Sequence, residues 1–274
     1  MTPDACRILL FSPTGTGRRI GEAIARGLGL PAATHDATHA PLPAGRIPST
    51  AAALFVAPVY GGHIAPAALE RMKEVRGQGT PAVVAAVYGN RDIGTAAAEL
   101  AAFVSERGFV PVAAGAFVGE HSYSTDAVPI AAGRPDAADL EAAERFGAAV
   151  ARKLTASTAP APVDASRLRA PRTPLLALLR FIAFVLRYRR AQKRRPVRLL
   201  PATDSRCIHC GRCAALCPTG AIVRGEEERT DPAHCIRCCA CVKGCPVRAR
   251  SFATPFAAVL ARNFSRRKEP TVLL

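Results

Sequence analysis

Short apolar runs alternate with amphipathic stretches through the first 155 residues. Residues 6–11, Cys-Arg-Ile-Leu-Leu-Phe, read as a strand, and residues 16–28 as a helix. Residues 52–57, centred on Leu54, Phe55 and Val56, read as a buried strand followed by a helix over 65–75. Residues 82–88 form a further apolar strand, and residues 95–106 a helix. A strand over 109–118 and a helix over 135–154 complete the series, with a weak additional strand signal at 32–35. Strand and helix in alternation imply a parallel sheet covered on both faces.

The pattern then changes. Thr158-Ala159-Pro160-Ala161-Pro162 is a linker signal. Between Arg167 and Arg198 stand eleven Lys or Arg and no acid, around an apolar stretch over 175–186 that predicts a helix. Residues 201–250 hold most of the cysteines, and residues 251–274 read as a basic tail. The expected division is therefore 1–155, a linker over 156–200, a small domain over 201–250, and the tail.

Charge and composition narrow the function. Lys and Arg total 37 against 21 Asp and Glu, a net charge of +16. Much of that excess lies in the linker, and it speaks of partners rather than fold. With no Trp and 5% aromatic residues, a stacking platform for single-stranded nucleic acid is poorly supplied. No run of about 20 apolar residues is free of charge, Pro or Gly, so no membrane span is expected. The N-terminal residues Met1 to Cys6 show no export pattern, which predicts a cytoplasmic setting and reduced thiols.

Nine of the ten cysteines lie beyond residue 200. Cys207, Cys210, Cys213 and Cys217 recur 28 residues later as Cys235, Cys238, Cys241 and Cys245, and Pro218 recurs as Pro246. This is an internal duplication of a C-x2-C-x2-C-x3-C-P unit. Structural zinc usually takes two separated C-x2-C pairs, which fits badly. The spacing fits two [4Fe–4S] clusters, the fourth cysteine of each run ligating the other cluster. One cluster then takes Cys207, Cys210, Cys213 and Cys245, and the second takes Cys235, Cys238, Cys241 and Cys217. Cys239 and Cys6 fall outside the spacing and read as packed thiols. The run Glu226-Glu227-Glu228 between the units reads as a solvated turn.

After the first strand comes Ser12-Pro13-Thr14-Gly15-Thr16-Gly17, entering a helix at once. Hydroxyls and backbone N–H groups at a helix N-terminus make a phosphate site. The loop alone fits either a mononucleotide phosphate or a dinucleotide, since Gly15, Gly17 and Gly21 are followed by Asp36. Two later loops, Pro58-Val59-Tyr60-Gly61-Gly62 and Tyr88-Gly89-Asn90-Arg91, each follow an apolar strand. Tyrosines among small residues at strand ends suit a planar isoalloxazine.

With Phe11 to Gly17, Pro58 to Gly61, Tyr88 to Arg91, Gly119-Glu120-His121-Ser122 and Cys235 to Cys241, the chain resembles a fusion family. That family joins an N-terminal flavodoxin-like domain to a C-terminal two-cluster bacterial-type ferredoxin domain. The resemblance implies an α/β flavodoxin-like doubly wound parallel sheet of order 2-1-3-4-5, plus a small α+β ferredoxin domain. It implies FMN on the first domain, with Ser12, Thr14, Gly15, Thr16 and Gly17 around the phosphate. Tyr60 would border the flavin, with Pro58, Val59 and Gly61 shaping its loop, and Tyr88, Gly89 and Asn90 would form the opposite wall. Gly17 departs from the usual loop, where a hydroxyl or amide is common.

The expected function is electron transfer between FMN and two [4Fe–4S] clusters. Two alternatives stand beside it: a flavin-dependent reductase of a small molecule or quinone fed by its own ferredoxin domain, and a ferredoxin carried on a flavin-less docking domain. The charge points to an acidic redox partner protein. The basic helix reads first as a docking helix packed between the two domains and second as an interfacial helix on an anionic membrane surface, which is thereby a candidate partner. Nucleic acid is least favoured, because no recognition motif accompanies the basic run.

Overall fold

The computed structural model describes residues 2–157 and 159–274. Met1 and Thr158, each at the start of a string read above, lie outside the described residues. The chain divides into two compact units. The first comprises residues 1–120, 133–171 and 268–274, and the second residues 121–132 and 172–267.

In the first unit, β1 (Ala5–Leu10) leads into α1 (Thr16–Leu28) and β2 (Ala32–Asp36). There follow β3 (Gly45–Ile47), β4 (Ala51–Tyr60), β5 (His63–Ile64) and α2 (Pro66–Met72). Then come β6 (Val75–Gly77), β7 (Thr80–Tyr88), α3 (Ala96–Ser105), β8 (Phe109–Val118) and α4 (Ala137–Ala156). Strands β2, β1, β4, β7 and β8 pair in parallel in that spatial order. Counting these five long strands along the chain gives 2-1-3-4-5, so the unit is a flavodoxin-like doubly wound α/β sheet.

Central strands buried on both faces explain the near-continuous apolar runs of β4 and β7. β2 is an edge strand with most of its residues exposed, which is why its sequence signal is weak. One face of the sheet buries Ile8, Leu10, Leu54 and Val56 under Ile20 and Ile24 of α1 and Phe146 and Val150 of α4. On that face the two helices nearly touch. A Cβ on Gly27 would stand 1.9 Å from the Glu144 carbonyl oxygen, and one on Gly147 2.0 Å from that of Ile24. Only glycine permits such an approach.

Three local differences from the sequence reading have simple causes. The second helix ends at Met72, and Val75 instead opens β6, which pairs in parallel with β3. The fourth helix starts at Ala137 because Asp136 caps it, forming a reciprocal box with Asp139. Residues 251–274 are no plain tail. They carry α8 (Pro255–Asn263) and β11 (Thr271–Leu273), and β11 pairs antiparallel with β8, covering that edge of the sheet.

The second unit holds α5 (Leu175–Arg194), β9 (Ala202–Thr203), α6 (Arg212–Ala215), α7 (Ala240–Lys243), β10 (Arg250–Ser251) and α8. β9 and β10 pair antiparallel. The cysteine duplication is visible in the backbone. His209, Gly211 and Gly220 have positive φ, and so do Arg237, Cys239 and Arg248, each 28 residues on. The short helices α6 and α7 obey the same offset. Among the described residues, no helix is long and apolar enough to cross a membrane.

Candidate cofactor sites

The nucleotide-type loop lies between β1 and α1. Gly15 takes φ +78 at the N-cap of α1, with no capping side chain of its own. The Ser12 hydroxyl accepts from the Arg18 N–H at 3.0 Å, and Ser12 N–H donates to Thr38 at 2.8 Å. Thr14 and Thr16 bring their hydroxyls within 3.4 Å of each other. Paired hydroxyls beside the open N–H groups of a first helical turn can hold a phosphate. Gly17 is explained by packing: a Cβ there would meet Ser12 Oγ at 3.2 Å and Val56 at 3.5 Å.

The other predicted loops gather at the same carboxyl ends. β4 and β5 form a hairpin through Gly61 and Gly62, both at positive φ, with Tyr60 paired to His63. The Thr95 N–H donates to the Gly62 carbonyl at 2.9 Å, tying this hairpin to the loop after β7. Gly119 N–H donates to Tyr88 O at 2.9 Å, and a Cβ on Gly119 would stand 3.1 Å from Thr16. Pro58 lies within β4, and Val59 and Tyr60 at its end are half-buried.

Tyr88 and Asn90, expected to form the wall opposite Tyr60, are buried at 2% exposure each, with Gly89 half-buried between them. The Tyr88 hydroxyl makes no hydrogen bond among the described residues, and burial raises its pKa. An orphaned phenol at a strand end is a donor that a ligand can satisfy. The loops, the open helix N-terminus and this hydroxyl fit a bound FMN, although Tyr88 does not offer its ring face.

Beside Tyr60, His63 Nδ1 lies 2.5 Å from Glu99 Oε1. Glu99 also accepts from the Thr95 hydroxyl at 2.5 Å and the Ile64 N–H at 3.0 Å. Burial pushes the Glu99 carboxyl up, but these hydrogen bonds outweigh it and hold the group below its usual value. No motif in the sequence joins His63 to Glu99, 36 residues away.

In the second unit, Cys217, Cys235, Cys238 and Cys241 line one cavity together with Cys239, Pro201 and Thr230. The first four are the set that the exchanged-cysteine rule assigns to one cluster. Burial pushes the Cys238 thiol up to about 12 and Cys241 to about 11, so ligation must displace their protons. By the 28-residue offset, Cys207, Cys210, Cys213 and Cys245 are the counterparts of Cys235, Cys238, Cys241 and Cys217. The two C-P cysteines are held alike: Cys217 accepts from the Ala221 N–H and Cys245 from the Ala249 N–H, both at 3.2 Å. Among the described residues no three His, Cys, Asp or Glu side chains close on a single ion.

Cys239 is buried and stands where the first repeat has Gly211, in the left-handed region at φ +59. Its thiol donates toward the Arg237 carbonyl, and burial raises its pKa. Cys6 is likewise buried, its thiol pushed up to about 11.

Two residues escaped the sequence reading. Glu227 is not part of a solvated turn. It is 1% exposed, accepts from Gly225 N–H at 2.9 Å and lies 3.2 Å from His209 Nδ1. Arg250 is 4% exposed and holds Thr203 at 2.9 Å, Thr230 at 2.6 Å, Pro201 O at 3.4 Å and the Glu227 carbonyl. Its Nε makes no such bond. Pro201 and Thr230 also line the cysteine cavity, and the Arg250 charge lowers the pKa of Cys241 and Cys213 against their burial.

Residues 201–246 match the family described as "4Fe-4S dicluster domain". No curated protein sequence matches the chain. Among solved structures, a flavodoxin from the domain Archaea is similar at 15% identity and TM-score 0.36, over 55% of this chain and 99% of its own. A Streptococcus pneumonia TIGR4 flavodoxin is similar at 17% identity and TM-score 0.35, over 56% and 98%. An NAD(P)H:quinone oxidoreductase from Methanothermobacter marburgensis is similar at 15% identity and TM-score 0.31, over 56% and 96%. At these scores the fold assignment rests on strand order and register.

Proposed function

We propose that the chain is an electron-transfer flavo-iron–sulfur protein, with FMN in the first unit and two [4Fe–4S] clusters in the second. The observation that carries this reading is the convergence of Cys217, Cys235, Cys238 and Cys241 on one cavity, within a backbone duplicated at a 28-residue offset. When bound, FMN supplies exchange of one or two electrons, and the clusters supply single-electron steps.

The protein's own groups bind and orient. Ser12, Thr14 and Thr16 hold phosphate at the α1 N-terminus, and Tyr60 borders the ring. Arg250 places a buried positive charge beside the cluster thiolates. The acidic redox partner protein remains part of this proposal, drawn from the net charge of +16.

A second reading, a flavin-dependent reductase fed by its own clusters, is favoured by the His63–Glu99 pair beside Tyr60. Glu99 orients Nδ1 of His63, leaving Nε2 available to hold or pass a proton at the solvent side.

The test is iron, sulfide and flavin content of anaerobically purified protein, with spectra before and after dithionite. About eight irons and one FMN per chain are expected. Eight irons with no FMN after flavin-replete purification would leave a ferredoxin on a docking domain. Zinc retained in place of iron after anaerobic reconstitution would defeat the redox reading.

A further inference from the structure

The strongest charge concentration in the chain belongs to neither cofactor site. It surrounds α5, a helix of 20 residues in which no residue is fully buried. One side of α5 is occupied: Phe181 packs edge-on against Phe264 of α8 at 5.2 Å, and Phe184 and Tyr188 meet Phe256 at 5.1 and 4.9 Å. The opposite side is open. Leu175, Leu179, Ile182 and Leu186 are 70%, 53%, 43% and 52% exposed. Their spacing of four, three and four puts them on one helix face. The same face continues through Arg190 and Lys193, both exposed.

An aliphatic stripe running into a cationic stripe, on a segment with eleven Lys or Arg and no acid, needs an occupant that is apolar in depth and anionic at its surface. We propose that this face of α5 docks on an anionic lipid bilayer, the four aliphatic side chains entering the acyl boundary while Arg190 and Lys193 meet lipid phosphates. A helix lying in the interface plane has this composition. The stripe offers no Trp or Tyr of the kind that anchors protein interfaces, and long flexible cations suit mobile headgroups. The helix lies on the bilayer rather than across it, since it is not apolar enough to span. This inference is independent of the electron-transfer reading.

The test is flotation of the full-length, anaerobically purified protein with two kinds of vesicle. One is phosphatidylcholine alone; the other carries roughly a third phosphatidylglycerol. Binding is expected only to the second, falling at least about tenfold near molar salt. The triple variant Leu179→Gln, Ile182→Gln, Leu186→Gln changes exposed positions only. It should lose roughly fivefold per side chain, about a hundredfold in all, with its visible spectrum unchanged. The pair Arg190→Gln, Lys193→Gln should weaken binding and flatten its salt dependence.

Three results would overturn the proposal. One is absence of binding to anionic vesicles at low salt. Another is a triple variant that binds as the parent does, which would reduce the effect to charge alone. The third is concentration-dependent self-association that the triple variant abolishes, without vesicle binding, which would assign the face to a second copy.

Discussion

Arg250 occupies the place that Ile222 holds in the first cysteine repeat, 28 residues earlier. Both are buried, at 4% exposure each, but one is aliphatic and the other a guanidinium. Replacing Arg250 by Ile restores the residue of the other repeat and removes one positive charge. A charge ~7 Å from a cluster, at an effective dielectric of ~20, interacts by about 2 kcal/mol. For a one-electron couple, with ~59 mV per tenfold change, that corresponds to roughly 100 mV. Reduction makes a cluster more negative, so Arg250 favours the reduced form and its loss lowers the potential. The effect should be larger for the cluster that Cys241 ligates, since Arg250 contributes both charge and a hydrogen bond at that thiol. Arg250→Lys keeps the charge and should retain most of the potential. The assay is an EPR-monitored redox titration, with iron content measured on the same samples. The Ile variant also removes the donor to the Thr203 and Thr230 hydroxyls and leaves the Glu227 and Pro201 carbonyls with only the Thr203 and Thr230 hydroxyls as donors, so reduced stability is expected alongside. A shift below ~20 mV with about eight irons retained would refute the electrostatic argument, which requires the Arg250 charge to act at roughly that separation and dielectric.

Other substitutions test other parts of the fold. Gly27→Ala must part α1 and α4, since its Cβ would lie 1.9 Å from a backbone oxygen; about 2 kcal/mol or more of stability should be lost on denaturant titration. Asp139→Ala leaves Arg134, 6% exposed and bonded through Nε to Asp139 Oδ2 at 2.8 Å, as an uncompensated buried charge. The loss should be about 3–5 kcal/mol, read as a fall of roughly 10 °C in Tm. Tyr88→Phe removes an orphaned hydroxyl; it should weaken FMN binding in fluorescence titration while leaving the flavin-free protein as stable as before or more so. Glu99, held below its ordinary pKa near 4.5, contributes stability that is complete above that value and is lost as pH falls through the lowered folded value. Glu99→Gln should therefore flatten the acid limb of the stability profile, and an unchanged limb would place its cause elsewhere.

The sheet was readable because its strands carry period and burial together. β4, β7 and β8 are apolar without interruption, and α1 begins and ends where its residues say it should, between Gly15 and Gly29. The short strands β3, β5 and β6 were not readable, since two or three residues hold no period. β11 could not be anticipated either. A three-residue strand at the far end of the chain pairs with β8 across more than 150 positions, and only tertiary structure makes that pairing. At the first site, the hydroxyl loop and the glycine hairpin were visible as motifs. The burial of Tyr88 was not, because an aromatic after a strand reads the same whether its ring faces in or out.

The cysteine repeat carries more information than its ligands. Comparing the two copies position by position shows where the duplication is broken. Gly211 becomes Cys239, so a thiol must accept the left-handed backbone that glycine took freely. Gly220 becomes Arg248, again at positive φ. Ile222 becomes Arg250. Burial is kept at this position in both copies, although not at every one, since Pro218 is buried and Pro246 exposed. A buried guanidinium needs acceptors or an anion. Thr203, Thr230, Pro201 O and Glu227 O satisfy most of its donors, and the remaining Nε belongs to a side chain whose charge acts on the cluster cysteines. The two copies therefore surround their thiolates with different charge, and clusters held by the same eight-cysteine pattern should differ in potential. Two resolved reduction steps in the parent, drawn closer together in Arg250→Ile, would follow from that asymmetry alone.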